Sequence, residues 1–167
     1  MSARLMLAAG LFLLLAAMRA EARIEGDWVL ADGSAVVRVT GGDTLSVRVV
    51  GLLRPRFAVI DGVAAVGSQR RDIHNPEREL RERLVLGLEI ASGLVADGSG
   101  WRGHIYDPSS GRSYRCSIKE LDADYLEVRG YLGIPALGRT MYWQRLDSYR
   151  GQVTRMLTVI GKAAAAQ

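Results

Sequence analysis

Short β-strand patterns recur at regular intervals along this chain, and sequences of hairpin-turn length separate most of them. Asp32-Gly33 is a two-residue hairpin signal because both positions tolerate a positive φ. Asp107-Pro108 places proline where a type I turn favours it. Eight strands are predicted in this way: Ile24–Ala31, Ser34–Thr40, Thr44–Val50, Leu84–Ile90, Trp101–Tyr106, Ser113–Leu121, Tyr125–Tyr131 and Gly138–Leu146.

A row of hairpin-linked strands must protect its two edges, and closure into a barrel removes both. The sequence therefore predicts an all-β fold, an eight-stranded antiparallel up-and-down barrel, with an open sandwich as the alternative. The interior of such a barrel is filled by its own side chains or holds one small ligand. The strand patterns leave that choice open, because several strands are apolar on both faces.

Two helical segments are predicted beside the strands. Asn75-Pro76 has the residue types of a helix N-cap and first helical position, so a short helical turn is expected there. Residues 52–72 before it are loop-like, with at most a weak strand at Phe57–Ile60. Near the C-terminus an apolar stripe at helical spacing predicts a helix that packs across the barrel wall, with a membrane-surface helix as the alternative. The stripe consists of Tyr149, Val153, Met156, Leu157 and Ile160.

The N-terminal residues have the pattern of a secretory signal peptide. Arg4 precedes the apolar run Leu5–Met18, and Ala20-Glu21-Ala22 is a small-residue cleavage signature. The run is shorter than the roughly 20 residues that a transmembrane helix needs. We therefore expect a signal peptide at 1–22, a barrel domain at 23–146 and a helix with a tail at 147–167. The mature protein would be periplasmic or secreted and would not span a membrane.

Composition excludes several kinds of site. After removal of residues 1–22 the net charge is about +3, and the basic residues are scattered among acidic ones, which argues against nucleic-acid binding. The single cysteine, Cys116, excludes a disulfide framework and a cysteine-rich zinc module. The two histidines, His74 and His104, offer little for a metal site, so neither a metal nor a cofactor is expected.

Three groups of polar and aromatic residues are candidate sites. Asp72, His74, Asn75 and Arg81 would form a polar cluster at the barrel mouth that orients a ligand or activates water. The alternative, which the sequence favours, is local: Asn75 caps a helix, Asp72 accepts hydrogen bonds from turn amides, and Arg81 pairs with Glu77.

The second and third groups lie in the last four predicted strands and in the turn that follows Tyr106. Asp107, with Tyr106 and Tyr114 nearby, would bind a polar ligand, or Asp107 would simply stabilise its own turn, which is favoured. The third group would bind an anionic ligand, or would hold an arginine stacked on tryptophan as a structural plug; the sequence favours neither. It comprises Arg129, Arg139, Trp143 and Arg145, the last three on one face of a strand by the two-residue period.

Several motifs occur in the order found in one exported bacterial family. They are Asp72-x-x-Asn75-Pro76, Arg81, Leu86-Gly87, Trp101-x-Gly103-x-Ile105-Tyr106-Asp107-Pro108, Gly111-x-x-Tyr114, Leu126-x-x-Arg129-Gly130 and Gly138-Arg139-Thr140-x-x-Trp143-x-Arg145. Between about Gly26 and Arg145 the chain resembles domain of unknown function 2147. The resemblance implies a lipocalin-like barrel and a signal peptide, but no activity, because the family has none agreed. The chain departs from the family pattern at Val47, where the family often has glycine. Residues 147–167 lie beyond the part of the chain that resembles the family.

Gly26-Asp27-Trp28 is similar to the Gly-x-Trp of lipocalins. That resemblance implies that Trp28 closes the barrel floor and that an arginine from the last strand, Arg139 or Arg145, packs over it.

The favoured function is a non-enzymatic binding protein of the cell envelope that holds a small hydrophobic or amphipathic ligand, with Arg129 or Arg139 at its polar end. One alternative is an envelope module that binds a protein partner and whose barrel is filled by side chains. An enzyme is the least favoured, because it needs Asp72, Asp107 and their neighbours to meet in one cleft. The expected ligand-binding residues are Trp28, Asp72, Asn75, Arg81, Tyr106, Asp107, Arg129, Arg139, Trp143 and Arg145.

Overall fold

The structure is a computed structural model that describes residues 24–164, with side chains described as far as Arg155. The predicted signal peptide at 1–22 lies outside the described residues. The strands are β1 (Gly26–Val29), β2 (Ala35–Thr40), β3 (Leu45–Leu52), β4 (Glu89–Asp97), β5 (Gly100–Asp107), β6 (Arg112–Glu120), β7 (Tyr125–Tyr131) and β8 (Arg139–Arg145), and the helix α1 spans Leu146–Ala164.

The strands of this described part form a closed antiparallel barrel in which each strand pairs with the next. Closure is made by β1 and β8, where Trp28 faces Arg145 and Val29 faces Gln144. The eight-stranded up-and-down barrel predicted from the sequence is therefore confirmed, and the open sandwich is wrong. Closure gives every strand a hydrogen-bonded neighbour on both sides, which removes the two free edges of an open sheet.

The up-and-down order gives the barrel two different ends. At one end, here called the base, lie the turns 41–44, 98–99 and 121–124. At the other end, here called the mouth, lie the turns 30–34 and 108–111 and the longer connections 53–88 and 132–138. Both long connections are therefore at the mouth. The helix α1 begins at the base, where β8 ends.

Alternating residues of the strands fill the core. On β2 and β3 the buried residues are Ala35, Val37, Val39, Leu45, Val47 and Val49, each separated from the next on its strand by a more exposed residue. This two-residue period places every second side chain inside the barrel. The core extends to the other strands through Leu94, Cys116, Ile118, Leu126, Val128 and Trp143.

The fourth strand differs from its prediction. The apolar run Leu84–Ile90 was expected to be the strand, but β4 begins only at Glu89. Leu84 instead forms an isolated bridge with Arg71, so the first half of the run pairs within the connection. Gly93 interrupts the pattern of β4 with a φ of +65° near the shifts in register against β3, as a β-bulge does. The weak strand proposed at Phe57–Ile60 is reduced to a bridge between Arg56 and Gln69, followed by a short 3-10 turn.

The C-terminal helix begins at Leu146, one residue before the expected boundary. Tyr149 and Val153, the first two residues of its apolar stripe, are 38% and 39% exposed. The side chains of Met156, Leu157 and Ile160 lie outside the described residues, so packing of the whole stripe across the wall stays a prediction. Among the described helices, none combines the length and the apolar character that a membrane span requires.

Candidate functional site at the barrel mouth

The base of the barrel is closed by a tryptophan and an arginine. Trp28 is fully buried, and its indole Nε1 donates to the Ile24 carbonyl at 2.9 Å. The Arg145 guanidinium lies 4.2 Å from the centre of the Trp28 ring, a cation–π contact. Arg145 also donates to the carbonyls of Ala123 and Glu25, at 2.6 and 3.2 Å. The arginine that packs over Trp28 is thus Arg145 and not Arg139. Trp28 and Arg145 together form a plug at the base.

Inward-facing side chains become more accessible towards the mouth. Cys116, Val128 and Trp143 are buried, whereas Tyr114, Gly130 and Met141, two residues further towards the mouth on the same strands and faces, are only partly buried. Ile105 pairs with Tyr114 and is also partly buried. These four residues, Ile105, Tyr114, Gly130 and Met141, are called the mouth cup below.

At Gly130 the wall of the cup has space for at least one more carbon atom. A Cβ added at Gly130 would have only the Tyr114 Cβ, at 3.8 Å, within 4 Å among the described atoms. At Gly103, deeper on the neighbouring β5, the same addition would come within 2.5 Å of the Leu94 side chain. The wall of the barrel is therefore closely packed at Gly103 and open at Gly130.

The other half of the mouth is covered by the connection 53–88. Phe57 and Leu88 from this connection are buried, as are Ala35 and Ile90 at the mouth ends of the strands beside it. The connection therefore closes the side of the barrel formed by β2, β3 and β4. It also reaches the turn 108–111, where a Cβ added at Gly111 would come within 1.8 Å of the His74 carbonyl oxygen.

A buried carboxylate holds the connection on the barrel. Asp72 is 0% exposed, and its Oδ1 accepts from the Tyr106 hydroxyl of β5 at 2.6 Å. Its Oδ2 accepts from Asn75 Nδ2 at 2.8 Å and from Arg83 Nε at 2.9 Å. The interpretation that Asp72 accepts from turn amides is wrong, since its partners are side chains up to 34 residues away. The contact of Arg83 with Asp72 could not be predicted from the sequence, because no local spacing links the two residues.

The Tyr106 hydroxyl keeps the proton that it donates to Asp72 at neutral pH. Burial, and then the hydrogen bond and negative charge of Asp72, raise the pKa of Tyr106 to about 12. The Arg83 guanidinium lies 5.4 Å from the centre of the Tyr106 ring. With the Tyr106 phenol protonated near neutral pH and both carboxylate oxygens of Asp72 hydrogen-bonded, the cluster stabilises the packing of the connection on the barrel.

The residues after Asp72 also differ from their predicted roles. The short 3-10 helix spans Arg78–Glu82 with Glu77 before it, so Asn75 is not its N-cap. Asn75 Oδ1 accepts from the Glu77 amide at 2.9 Å, as in an Asx turn. Arg81 Nε donates to the Asn75 carbonyl at 2.7 Å, and no Arg81–Glu77 ion pair occurs among the described residues. Both residues therefore stabilise the shape of the connection.

Asp107 stabilises its own turn, as the favoured interpretation predicted. Its Oδ1 accepts from the Ser109 amide and hydroxyl at 2.9 and 2.6 Å, and its Oδ2 accepts from the Ser110 hydroxyl at 2.7 Å. Asp72 and Asp107 thus bind separate partners, and the convergence that an enzyme hypothesis requires is not formed. No group of three potential metal ligands is found in the described part of the chain.

The structure does not bring the third predicted group together, since Arg145 belongs to the plug at the base and the other three residues lie elsewhere. Arg129 lies on the opposite face of β7 from buried Val128, and donates to the Pro135 carbonyl and to Thr140 Oγ1. It therefore holds the connection 132–138 and does not enter the interior. Arg139 is exposed at the rim, on the inward face of β8 that also carries Met141. Trp143 is buried below the cup, and its Nε1 has no hydrogen-bond partner in the described structure.

A separate cavity lies outside the wall at the base. It has a volume of about 450 Å³ and is lined by Gly26, Asp27, Arg38, Arg145, Leu146, Asp147 and Arg150. Asp27 and Arg38 in its wall already form a two-point ion pair, at 2.7 and 2.9 Å. The cavity is thus formed where α1 leaves β8, on the other end of the barrel from the cup.

Comparisons with known proteins agree with this architecture. A family model described as an uncharacterized protein conserved in bacteria, DUF2147, matches residues 26–145. A solved structure, Protein HP1028 from the human pathogen Helicobacter pylori, described as belonging to the lipocalin family, superposes with a TM-score of 0.60. It is 20% identical, and the match covers 74% of this chain and 82% of that one, a likeness of fold alone. No curated protein matches the chain.

Proposed function

The chain belongs to the DUF2147 family of bacterial proteins. From this family and from its lipocalin-like barrel, we propose that the chain is a non-enzymatic binding protein of the cell envelope. Its ligand is a small hydrophobic or amphipathic molecule held in the mouth cup. The observation that carries the proposal is the change in burial along the barrel, from a plugged base to partly exposed inward side chains around Gly130.

The chemistry of the cup suits an apolar chain with one polar end. Ile105 and Met141 supply apolar contacts, and the indole ring of buried Trp143 lies below them. Arg139 at the rim would meet a carboxylate or another anionic head group. We therefore place the apolar part of the ligand towards Trp143 and its charged end beside Arg139. Arg129 has no part in this site, because its donors are used on the outer face.

The location in the envelope is part of the proposal and depends on the signal-peptide pattern at 1–22. N-terminal sequencing of the protein from the periplasmic fraction tests it, with Arg23 as the expected first residue.

Ligand binding is tested with a fluorescent fatty acid, 11-(dansylamino)undecanoic acid, and displacement by unlabelled fatty acids. Gly130→Leu fills the cup and is expected to lower affinity at least tenfold. Ser113→Leu adds the same side chain at an exposed position of β6 and serves as the matched control, with affinity within twofold of the wild type. Circular dichroism establishes that both variants fold. Equal affinities of the Gly130→Leu variant and the wild type would contradict the proposal.

The head-group contact is tested separately. Arg139→Gln is expected to weaken a carboxylate ligand threefold to tenfold and to leave an uncharged alcohol of the same length unaffected. Arg115→Gln, at an exposed position of β6, is its control. A loss that is equal for the carboxylate and the alcohol would remove Arg139 from the site.

A further inference from the structure

The connections at the mouth carry several strongly exposed aliphatic side chains. Val59, Ile60, Leu137 and Leu53 are 82%, 81%, 78% and 72% exposed. Val66, Leu132 and Ile134 are also more than half exposed, so seven such residues lie in two connections. Aliphatic groups exposed together in this way mark interaction sites in soluble proteins.

The two connections belong to one continuous rim. The β7–β8 connection ends at Arg139 near the turn 30–34: hydrogen bonds from Ser34 and, less strongly, the charge of Arg139 lower the pKa of Asp32 in that turn. The same turn is joined to the β3–β4 connection by a hydrogen bond from the Leu53 amide to the Ser34 carbonyl, at 2.9 Å. The mouth rim, defined as residues 30–34, 53–70 and 132–139, is therefore a single edge of the barrel.

The charge of the rim is opposite to that of the base. The rim carries Arg54, Arg56, Arg70 and Arg139 against Asp32 and Asp61, a net charge of +2. Asp61 is already paired with Arg70 at 2.7 Å. The rest of the connection, residues 71–88, has four arginines and four acidic residues and is neutral.

The base turns 41–44, 98–99 and 121–124 contain Asp43, Asp122 and Asp124 and no lysine or arginine. A negatively charged surface would therefore attract the mouth rim more strongly than these base turns.

We propose that the mouth rim docks on the surface of an anionic lipid bilayer. The aliphatic side chains of the rim enter the boundary between head groups and acyl chains, and Arg54, Arg56 and Arg139 face the anionic head groups. Apolar residues beside basic ones are the pattern of proteins that lie on membrane surfaces. A protein partner is less well supported, because the large hydrophobic residues exposed on the rim are all aliphatic, whereas protein interfaces are enriched in aromatic ones.

This inference rests on the exposed rim and not on a ligand in the cup, so either proposal can fail alone. If both hold, the mouth cup would open towards the acyl chains of the bilayer, and an apolar ligand would enter without crossing water.

The test is co-sedimentation of the mature protein with vesicles of phosphatidylcholine alone or mixed equally with phosphatidylglycerol. We expect binding to the mixed vesicles that weakens with salt, and a loss of at least tenfold in the Val59→Ser/Ile60→Ser variant. Leu137→Ser in the second connection is expected to weaken binding at least threefold. Leu121→Ser, at a 53% exposed leucine of the base, is the matched control and is expected to bind within twofold of the wild type.

Three results would overturn the inference. One is the absence of binding to mixed vesicles. Another is binding lost in the helix variant Tyr149→Ser/Val153→Ser but retained in the rim variants, which would assign the membrane contact to α1. The third is self-association, measured by sedimentation velocity without vesicles, that Val59→Ser/Ile60→Ser abolishes, since the rim would then be covered by a second copy of the chain.

Discussion

Replacement of the buried carboxylate Asp72 by asparagine tests how the connection 53–88 is held on the barrel. Asp72 accepts hydrogen bonds from Tyr106, Asn75 and Arg83, and the last of these is charged. An asparagine at this position would present an N–H to groups that are themselves donors and would leave the Arg83 guanidinium without its carboxylate. The variant should therefore lose the fixed position of the connection as well as stability.

The magnitude follows from burial. Removal of one partner from a buried ion pair costs about 3–5 kcal/mol. Because the Arg83 side chain is 35% exposed and regains some hydration, we expect the lower end, about 3 kcal/mol of unfolding free energy. Asp27→Asn breaks the more exposed pair with Arg38 and is the matched control, with an expected cost of at most about 1 kcal/mol.

The assay is equilibrium unfolding in urea, followed by fluorescence of the buried tryptophans Trp28 and Trp143. A double variant, Asp72→Asn/Arg83→Met, should be more stable than Asp72→Asn alone, because no unpaired charge remains. If Asp72→Asn costs no more than Asp27→Asn, or if the double variant is less stable than the single one, the buried network does not hold the connection as described.

Three further predictions concern single side chains. The folded state raises the pKa of Tyr106 from 10.0 to about 12. The stability advantage of the wild type over Tyr106→Phe should therefore be complete below pH 10 and should decline between pH 10 and 12. An advantage that grows with pH in urea titrations would refute this. Burial raises the pKa of the Cys116 thiol to about 11, so it should react with Ellman's reagent only in denaturant, and rapid reaction of the native protein would contradict its place in the core. Arg145→Met should lower the unfolding free energy by about 1–3 kcal/mol through the lost contact with Trp28 and the two lost carbonyl bonds, and an unchanged urea midpoint would show that the plug is dispensable.

The parts of the fold that depend on local patterns could be predicted from the sequence. The alternation on β2 and β3 and the hairpin turns identified most strands within one or two residues, and closure followed from edge protection. The fourth strand could not be placed in this way, because an apolar run has no period that assigns it to the barrel or to a connection. Its position depends on the bridge between Arg71 and Leu84, a contact that no local pattern specifies.

Most residues of the candidate site could be predicted from the sequence, but their contacts with one another could not. Asp72, Asn75 and Tyr106 were identified, yet their shared hydrogen bonds join residues as many as 34 positions apart, whereas local rules gave Asn75 a capping role. The face of β7 that carries Arg129 was identified too, but whether that face points inward depends on its neighbours Leu126 and Val128. The resemblance to lipocalins did predict the tryptophan and arginine at the base, although it left two arginines as candidates.

Native mass spectrometry of the purified protein tests the central proposal most directly. We predict a population with one bound small molecule per chain, which organic extraction releases and which Gly130→Leu eliminates while Ser113→Leu retains it. Spectra of the wild type with only the unliganded mass, before and after incubation with a series of fatty acids, would contradict the proposal that the mouth cup is a binding site.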